Sequence, residues 1–596
     1  MSSATERTEI DDRYTWDLEA MFASDAAWEE AFEAAEAKLE ELAAYEGRVT
    51  ESATTLQELL SLRDEIMREI SSVGAYARMR SDEDTANQQY QALSARAQSL
   101  GSEAASAASF IDPELQRAGR DRLQSFIEES PELERYAHYF DDVCRMEPHT
   151  RDPAVEELLA ELSEVTGAGG DVYSMLTNAD MEFPAVETPA GDDERLTLSN
   201  FTVVQKSPDR AYRERAYTAF YDTWGDVRNA VGTALKNAVR TNIKTANARR
   251  YESARAASLT PPNVPTEVYD TLLETVDANL DVLHRHIALK RERLDVDTLQ
   301  MWDLYAPLTE SSAPTIEYEQ AKEWVIEAVA PLGEAYQSRM AEGLASRWVD
   351  VYETANKRAG AYSSGTYDSQ PYILMNYQED VGSLYTLAHE LGHSMHSELA
   401  SETQPYVYSG YEIFTAEVAS TVNEALLTNH LLETVTDETL RRHVLDEYLE
   451  RFRSTLFRQA MFASFEQQIH ERSAAGEALT PDSFDSIYGE LKGEFYQPAA
   501  VDDRIAREWM RIPHFYYNFY VYQYATGIAA ANAIVQRIDT EGEAAADAYR
   551  QFLRSGSREY PLELLGTAGV DMASSAPVEA AIERYDALVG EFEQLS

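Results

Sequence analysis

One pair of histidines in this chain has a spacing that requires a helix. Residues 389–393 read HELGH, and histidines four positions apart lie on the same face of an α-helix, where both imidazoles can reach one metal ion. Glu390 lies one residue further round the helix, so its carboxylate can reach a water on the metal instead of the metal itself. The motif therefore predicts a catalytic zinc site with His389 and His393 as ligands and Glu390 as the general base.

The residues around the motif favour a helix with one apolar face. Leu384, Leu387, Leu391 and Met395 recur at helical spacing before and within it. The alternative is a helix whose two histidines only pack or face solvent. The acidic residues that follow downstream favour the metal site over this alternative.

A catalytic zinc ion usually has three protein ligands and an open fourth position. Residues 411–427 are predicted to form a second helix of mainly apolar and small side chains, and Glu417 and Glu424 lie two turns apart on one face of it. Both carboxylates need a partner, because burying an unpaired charge is costly. We assign Glu417 as the third ligand and Glu424 as the acceptor that orients a ligand histidine. Glu412 is the rival ligand, and a plain salt bridge is the alternative for Glu424.

A second candidate region lies at residues 511–524, which read RIPHFYYNFYVYQY and combine five tyrosines with His514. Peptide hydrolysis needs hydrogen-bond donors for the developing oxyanion, and tyrosine hydroxyls and histidine N–H groups both serve. Tyr520 and Tyr524 lie four apart on one predicted helical face, with Tyr517 one turn earlier as a substrate contact. For any single tyrosine, the alternative is a place in a tyrosine-rich core helix.

Just before the zinc helix, residues 360–377 depart from the helical pattern. Glycines, serines and Pro371 interrupt the first part, and residues 372–377 are then predicted to form a short β-strand. An exposed strand edge near a metal can hold an extended peptide by main-chain hydrogen bonds. We therefore expect Tyr372 and Tyr377 to lie on a strand that aligns the substrate. A structural hairpin is the alternative.

Four blocks of sequence resemble the oligoendopeptidase F branch of the thimet-type oligopeptidases: HELGHSMH, FTAEVASTVNEALL, PHFYYNFYVYQYATG and REYPLELLGTAGVDM. The resemblance extends from about residue 14 to the C-terminus. It implies a mainly α, multi-helix zincin-type peptidase, with a small β-sheet beside the active site and a deep substrate channel that excludes folded proteins. It also implies one zinc ion per chain and short unstructured peptides as substrates.

The same resemblance implies that His514 and one or two nearby tyrosines bind the substrate carbonyl and steady the transition state. Tyr520 and Tyr524 are favoured for this role. Counting from His514, thimet-like members carry tyrosines where this chain has Phe519 and Gln523. The tyrosine that stabilises the oxyanion is therefore left open.

Composition argues against several classes of partner. With 51 Lys and Arg against 105 Asp and Glu, the net charge of -54 disfavours nucleic acid and anionic membranes. Cys144 is the only cysteine, so no intrachain disulfide can form. No apolar run approaches the length of a membrane span, and the N-terminal residues lack an apolar signal core. We expect a soluble cytoplasmic protein that acts on short peptides, with its oligomeric state left open.

Lysine is scarce, so arginine carries most of the positive charge. Salt at 1 M shortens the Debye length to about 3 Å and relieves the self-repulsion of an acidic surface, so this balance favours a high-salt cytoplasm. An ordinary acidic soluble protein, which is the alternative, would contain more lysine. The lysines are Lys38, Lys206, Lys236, Lys244, Lys290, Lys322, Lys357 and Lys492.

The chain is expected to be helical nearly throughout. Residues 16–109 carry apolar positions three and four apart, which predicts helical hairpins. Residues 184–205, with short apolar runs near their end, predict a small β excursion. We place a boundary near residue 205, between an N-terminal helical region (1–205) and a zinc metallopeptidase catalytic region (206–596). The resemblance implies that the N-terminal region roofs the cleft.

These residues predict a zinc metalloendopeptidase that hydrolyses internal peptide bonds of short unstructured oligopeptides, with a zinc-bound water activated by Glu390. Two alternatives remain. A zinc carboxypeptidase of similar helical fold would share the HExxH motif, although it should lack the FTAEVAST and HFYYNFYVYQYATG blocks. A non-catalytic helical peptide-binding protein would keep the channel and would have no need of Glu390.

Overall fold

The computed structural model describes residues 5–309 and 314–595 of the chain. They form two compact units, and each unit is assembled from three separate stretches of chain. The first unit lies within residues 1–148, 314–434 and 534–570, and the second within residues 149–313, 435–533 and 571–596. Both units consist mainly of α-helices, which confirms the predicted mainly α fold. The boundary near residue 205 stays a prediction.

The helices and strands are numbered here in chain order. The helices up to residue 313 are α1 (Asp25–Ala43), α2 (Ala53–Glu83), α3 (Gln88–Ala108), α4 (Ile111–Ala118), α5 (Arg120–Glu129), α6 (Ala137–Arg145), α7 (Pro153–Thr166), α8 (Ala168–Met175), α9 (Phe201–Gln205), α10 (Arg210–Asp226), α11 (Arg228–Ala248), α12 (Ala254–Leu259), α13 (Thr266–Ala278) and α14 (Leu280–Arg293). The later helices are α15 (Tyr318–Ala328), α16 (Glu334–Ala345), α17 (Val381–Thr403), α18 (Ile413–Thr434), α19 (Glu438–Phe452), α20 (Arg458–Ala474), α21 (Pro481–Phe495), α22 (Tyr522–Glu541), α23 (Glu543–Leu553), α24 (Pro561–Thr567) and α25 (Ala576–Gln594). The strands are β1 (Ala185–Glu187), β2 (Asp193–Arg195), β3 (Val349–Asp350), β4 (Tyr362–Ser364) and β5 (Tyr372–Leu374). Within the described residues, no helix combines the length and the apolar character needed to cross a membrane.

The core of the first unit forms around the long helix α2. Ser52 caps this helix, since the Thr55 N–H donates a hydrogen bond to Ser52 Oγ (3.1 Å). Apolar side chains from Leu56 to Ile70 recur at helical spacing and are buried, and α1 and α3 pack against the same helix. The helices predicted for residues 16–109 are therefore confirmed.

A three-stranded sheet in the first unit has the strand order β3-β5-β4. The central strand β5 pairs in parallel with β3 and antiparallel with β4. Helix α17, which carries the HELGH motif, packs against β4 and β5. A small sheet therefore lies beside the motif helix, as the resemblance implied.

The predicted β excursion at residues 184–205 is confirmed only in part. β1 and β2 form an antiparallel pair, but the prediction is wrong for residues 201–205, which form helix α9. Thr197 and Asn200 exchange backbone-to-side-chain hydrogen bonds of 2.8 and 3.0 Å, a reciprocal pattern that starts a helix. Phe201 then stacks on Phe220, with ring centroids 3.8 Å apart. The apolar run is used to pack α9 on α10.

Candidate metal centre

Two helices of the first unit bring the predicted ligands together. Helix α17 begins after Asp380, whose side chain accepts a hydrogen bond from the Ser383 N–H (2.7 Å), and it carries His389 and His393 on one face. Helix α18 packs against it and carries Glu417. Ligand atoms of the two histidines and Glu417 all lie within 4.8 Å of one another.

The three ligand atoms form a triangle of the size that a metal ion requires. His389 Nε2 and His393 Nε2 are 3.2 Å apart, and Glu417 Oε2 lies 3.5 Å from the first and 3.9 Å from the second. A point about 2.1 Å from all three atoms lies inside this triangle, which matches zinc–ligand distances of about 2.0–2.2 Å. The side chains are 25, 18 and 29 % exposed, so the position has access to solvent. Two imidazoles and a carboxylate therefore fit a metal that keeps an open coordination position.

Glu412, the rival ligand, is exposed, lies just before α18, and is not part of this cluster. Glu424 has a different place, two turns along α18 from Glu417, where it is 6 % exposed. Its Oε1 lies 2.7 Å from His389 Nδ1, on the far side of the ring from Nε2. That contact fixes the orientation of the imidazole, so Glu424 lies where an orienting acceptor must lie.

The electrostatics of the two histidines differ because of this contact. Burial lowers the pKa of His389, but the hydrogen bond to Glu424 and the charges of Glu424, Glu390 and Glu417 together outweigh burial and raise this pKa to about 9. Burial and the neighbouring His389 lower the pKa of His393 to about 3. With the two Nε2 atoms 3.2 Å apart, only one of them can hold a proton. The two Nε2 atoms are therefore placed to share one cation, either a proton or a metal ion.

Glu390 lies on α17 beside the ligands and is 7 % exposed. Its Oε2 has no hydrogen-bond partner among the described residues. Burial raises the pKa of Glu390 to about 7, although the charge of His389 opposes this shift. A carboxyl group with an unpaired oxygen and a pKa near neutrality can both accept and release a proton.

Gly392 explains how α17 and α18 approach closely enough to share a metal. A Cβ at this position would lie 2.5 Å from Ala419 O and 2.6 Å from Ser420 Cα, which are backbone atoms of α18. Only glycine leaves room for that backbone. Sequence reasoning did not single out Gly392, although a glycine in the middle of a helix is a recognisable signal of close packing.

We expect Gly392→Ala to push the two helices apart, and therefore to lower both the metal content and the Tm. Overpacking of this kind costs roughly 1–3 kcal/mol, and here the obstructing atoms belong to a backbone. Metal content by mass spectrometry and Tm by calorimetry measure the two effects. Gly74→Ala is the matched control, because Gly74 lies inside α2 with open space at its Cβ position, so its Tm should stay constant or rise. Equal effects of the two substitutions would contradict the role given to Gly392.

The prediction that residues 372–377 offer a free strand edge is wrong. β5 is the central strand of its sheet, and Tyr372 and Tyr377 are 0 % and 3 % exposed. Their hydroxyls donate hydrogen bonds to Asp17 O (3.1 Å) and Ile316 O (3.0 Å). Neither tyrosine is therefore available to contact a substrate, since both side chains are buried and both hydroxyls donate to backbone carbonyls.

β4 is one of the two edges of this sheet, and it borders a cavity of about 870 Å³ in the first unit. Ser363 and Ser364 of β4, Ser397 of α17 and Tyr411 just before α18 line this cavity. Arg63 of α2 lines it as well. The motif helix, the sheet edge and the N-terminal helices therefore share one concave surface, which is large enough for a segment of peptide.

The residues predicted to bind the substrate carbonyl lie together in the second unit. His514 belongs to a short 3₁₀ helix, and the Tyr524 hydroxyl lies 3.5 Å from His514 Nε2. The rings of Tyr517 and Tyr520 have centroids 5.8 and 6.0 Å from that of His514. One histidine and three tyrosines thus form a cluster of hydrogen-bond donors.

A left-handed turn lies within this cluster. The prediction that Tyr520 and Tyr524 share one helical face is wrong, because α22 begins only at Tyr522. Asn518 and Phe519 have φ angles of 39° and 56°, which are costly for residues other than glycine. The Phe519 N–H donates a hydrogen bond of 2.6 Å to Glu466, a fully buried carboxyl group of α20. Sequence reasoning missed Glu466, since a single glutamate in an apolar helix gives no spacing signal.

Comparisons with known proteins agree with this geometry. The profile described as Peptidase family M3 matches residues 203–584, and the one described as Oligopeptidase F matches residues 114–183. Oligopeptidase PepF of Bacillus subtilis is 44 % identical over 591 residues, which cover 99 % of this chain and 88 % of that protein. Group B oligopeptidase PepB of Streptococcus agalactiae is 39 % identical over 99 % of this chain and 98 % of its own length. The crystal structure of oligoendopeptidase-F from Enterococcus faecium has a TM-score of 0.75 at 33 % identity, and the match covers 96 % of this chain and 99 % of that one.

Proposed function

Because this chain belongs to peptidase family M3 and is a metalloendopeptidase, we propose that it cuts internal bonds of short unstructured peptides with one zinc ion. The zinc ligands in this proposal are His389, His393 and Glu417. The main support for this proposal is the triangle formed by their ligand atoms, with sides of 3.2, 3.5 and 3.9 Å. Two imidazoles and one carboxylate suit zinc in both number and chemistry.

In this mechanism, the chain's own residues move the protons. When bound, zinc supplies Lewis acidity to a water molecule and to the scissile carbonyl. Glu390 takes a proton from the attacking water and delivers it to the leaving amine. Its unpaired Oε2 and its pKa near 7 suit both steps. Glu424 holds His389 in place throughout, through the 2.7 Å contact with Nδ1.

We propose that His514, together with Tyr520 or Tyr524, stabilises the negative charge that develops on the carbonyl oxygen. Burial and the nearby Arg458 keep the pKa of His514 below its usual value, so the ring is neutral and donates through one nitrogen. Tyrosine hydroxyls add donors of the same kind. Tyr517 is 58 % exposed and is proposed as a contact for the rest of the peptide.

We propose that the outer edge of β4, in place of β5, aligns the substrate. A hydrogen bond from the backbone N–H of Ser363 lowers the pKa of Glu390 and offsets part of the increase caused by burial. β4 therefore passes close to the general base. An extended peptide can add to such an edge by main-chain hydrogen bonds. Arg63 and Tyr139 line the same cavity, which supports the proposal that the N-terminal region (1–205) covers the cleft. A covered cleft would admit flexible chains and exclude folded ones.

An internally quenched peptide with both ends blocked is expected to be cut at an internal bond. The reason is that hydrolysis by the proposed site requires neither a free amine nor a free carboxylate. Fluorescence reports the rate, and mass spectrometry of the fragments reports the position. Chelator-treated enzyme is the control, and its activity should return when zinc is added.

Other outcomes separate the alternatives. Cleavage only of peptides with a free C-terminus would indicate a carboxypeptidase, and binding without any cleavage would indicate a peptide-binding protein. A series of peptides of increasing length, ending with denatured casein, tests the covered cleft. Rapid digestion of casein into small fragments would contradict it.

We also propose that the protein works in a cytoplasm of high salt. Its net charge is -54, and three of its eight lysines have buried side chains. The side chains of Lys290, Lys357 and Lys492 are 0, 0 and 3 % exposed and form ion pairs with acidic groups. Carboxylates therefore outnumber cations, and they repel one another when little salt is present.

The Tm is expected to rise as KCl increases from about 0.1 M to about 1 M, a range over which the Debye length falls from about 10 Å to about 3 Å. Calorimetry over this range tests the expectation. KCl is preferable to a sulfate salt, because sulfate strengthens apolar burial in any protein. A flat curve would remove the high-salt proposal and leave the peptidase proposal unaffected.

A further inference from the structure

A buried cluster in the second unit contains more positive than negative charge. The Glu508 carboxylate, 1 % exposed, lies 2.6 Å from Lys492 Nζ, 2.7 Å from Arg458 Nη2 and 3.7 Å from Arg511 Nε. The Tyr488 hydroxyl donates a further hydrogen bond of 2.8 Å to it. Three cations thus share one carboxylate.

Tyrosines, which are neutral at ordinary pH, supply much of the remaining surroundings. Besides Glu508, the groups that act most strongly on Arg458 are Tyr305, Tyr488 and Tyr496. Burial opposes ionisation of Tyr305, yet Arg458 and Arg511 hold its pKa below the usual value. A group that ordinarily ionises only in alkali is thus drawn toward the anionic form, as a site short of negative charge requires.

The cluster opens onto a cavity of about 780 Å³, whose lining residues all belong to the second unit. Arg458 and Arg511 lie in its wall, and His514 lines it as well. Arg458 Nε has no hydrogen-bond partner among the described residues, and its guanidinium carbon lies 4.7 Å from the ring centre of Phe462. Tyr517, 58 % exposed, lies at the mouth.

Burying three cations with a single carboxylate between them is costly, and a bound anion would offset part of that cost. Asp171 is the one acidic residue in the lining, and it lies at the exposed rim. The cavity is therefore a positive site in a protein whose net charge is -54. Arginine forms charge-assisted hydrogen bonds with carboxylates, which makes a carboxylate a suitable ligand for a wall that contains Arg458 and Arg511.

We propose that this cavity is an anion subsite that takes the C-terminal carboxylate of a peptide substrate. The proposal rests on the proposed function, because it assumes a peptide whose scissile carbonyl lies at His514. Every linear peptide with an unblocked C-terminus carries one such carboxylate, and a cavity of this size also holds the residue that precedes it. The carboxylate of an acidic side chain has the same chemistry and would occupy the same place.

Two quenched peptides test the subsite, identical except that one ends in a free acid and the other in an amide. The wild-type holoenzyme should show a kcat/KM about tenfold or more higher for the acid, mainly through KM, since a charged hydrogen bond is lost with the amide. Arg458→Gln should bring the ratio of the two kcat/KM values close to one, and Arg458→Lys should restore part of it. Arg504→Gln is the matched control, because Arg504 pairs with Asp222 at the surface of the same unit, outside the cavity, and should keep the wild-type ratio.

A wild-type ratio near one would overturn the proposal, and so would a ratio that Arg458→Gln leaves unchanged. A third peptide, an amide with one acidic side chain near its C-terminus, separates the two sources of carboxylate. Should Arg458→Gln fail to fold, the wild-type ratio and the Arg458→Lys ratio decide. If neither peptide is cut, the proposed function fails. Calorimetric binding of an acetylated tripeptide acid against its amide then tests the subsite alone.

Discussion

Glu390→Gln is expected to lower kcat/KM by at least about 10²-fold, while the enzyme keeps its metal and its Tm. General acid–base catalysis contributes about 10²–10⁴-fold, and glutamine cannot accept the proton of the attacking water. The ligand atoms of His389, His393 and Glu417 form the metal cluster without Glu390, so its removal should leave that cluster intact. Turnover of the blocked quenched peptide and metal content by mass spectrometry are measured on the same preparation.

Glu402→Gln is the matched control for this experiment. Glu402 lies on the same helix, near its end, and is exposed, so the same chemical change should leave both quantities at the wild-type level. Metal lost in parallel with activity would show that Glu390 coordinates the ion, and its assignment as general base would be withdrawn.

Glu417→Ala is expected to have the second large effect, on metal affinity. Loss of a partner that only orients a ligand already costs about 10–100-fold in affinity, so loss of a direct ligand should exceed that range. Activity should return in part at high added zinc, because His389 and His393 remain. Titration with a competing chelator measures the affinity.

Two further variants are compared with Glu417→Ala in the same measurement of metal affinity. Glu412→Ala should bind metal as the wild type does, because Glu412 is exposed and outside the cluster. Glu424→Gln should fall between the two, at about 10–100-fold, since it loses only the orienting contact with His389. Full affinity in Glu417→Ala together with lost affinity in Glu412→Ala would move the third ligand to Glu412.

The parts of the site that follow from helical periodicity could be predicted from the sequence. His389 and His393 are one turn apart, and a single turn of helix fixes where both side chains point. Glu417 and Glu424 were identifiable because two acids two turns apart in an apolar helix imply buried partners. In each case the spacing along one helix contained the information.

The parts that depend on contacts between distant segments could not be predicted in this way. Residues 372–374 were correctly identified as a strand, but β5 is central because residues 349–350 and 362–364 pair with its two sides. The turn at Asn518 and Phe519 depends on Glu466, more than fifty residues earlier in the sequence. A local sequence pattern does not indicate such contacts, because they depend on how distant segments of the unit pack together.

The discontinuous make-up of the two units has a consequence for synthesis on the ribosome. The apolar core around Trp16 and Trp28 also contains Tyr372 and Leu374, so it cannot close until that part of the chain has emerged. At about 5–20 residues per second, the interval between residues 148 and 372 lasts roughly 11–45 s. The apolar surface that Tyr372 and Leu374 cover stays exposed throughout that time, and the first unit is complete only at residue 570. We therefore expect the nascent chain to be more prone to aggregate in this interval than after β5 has been made.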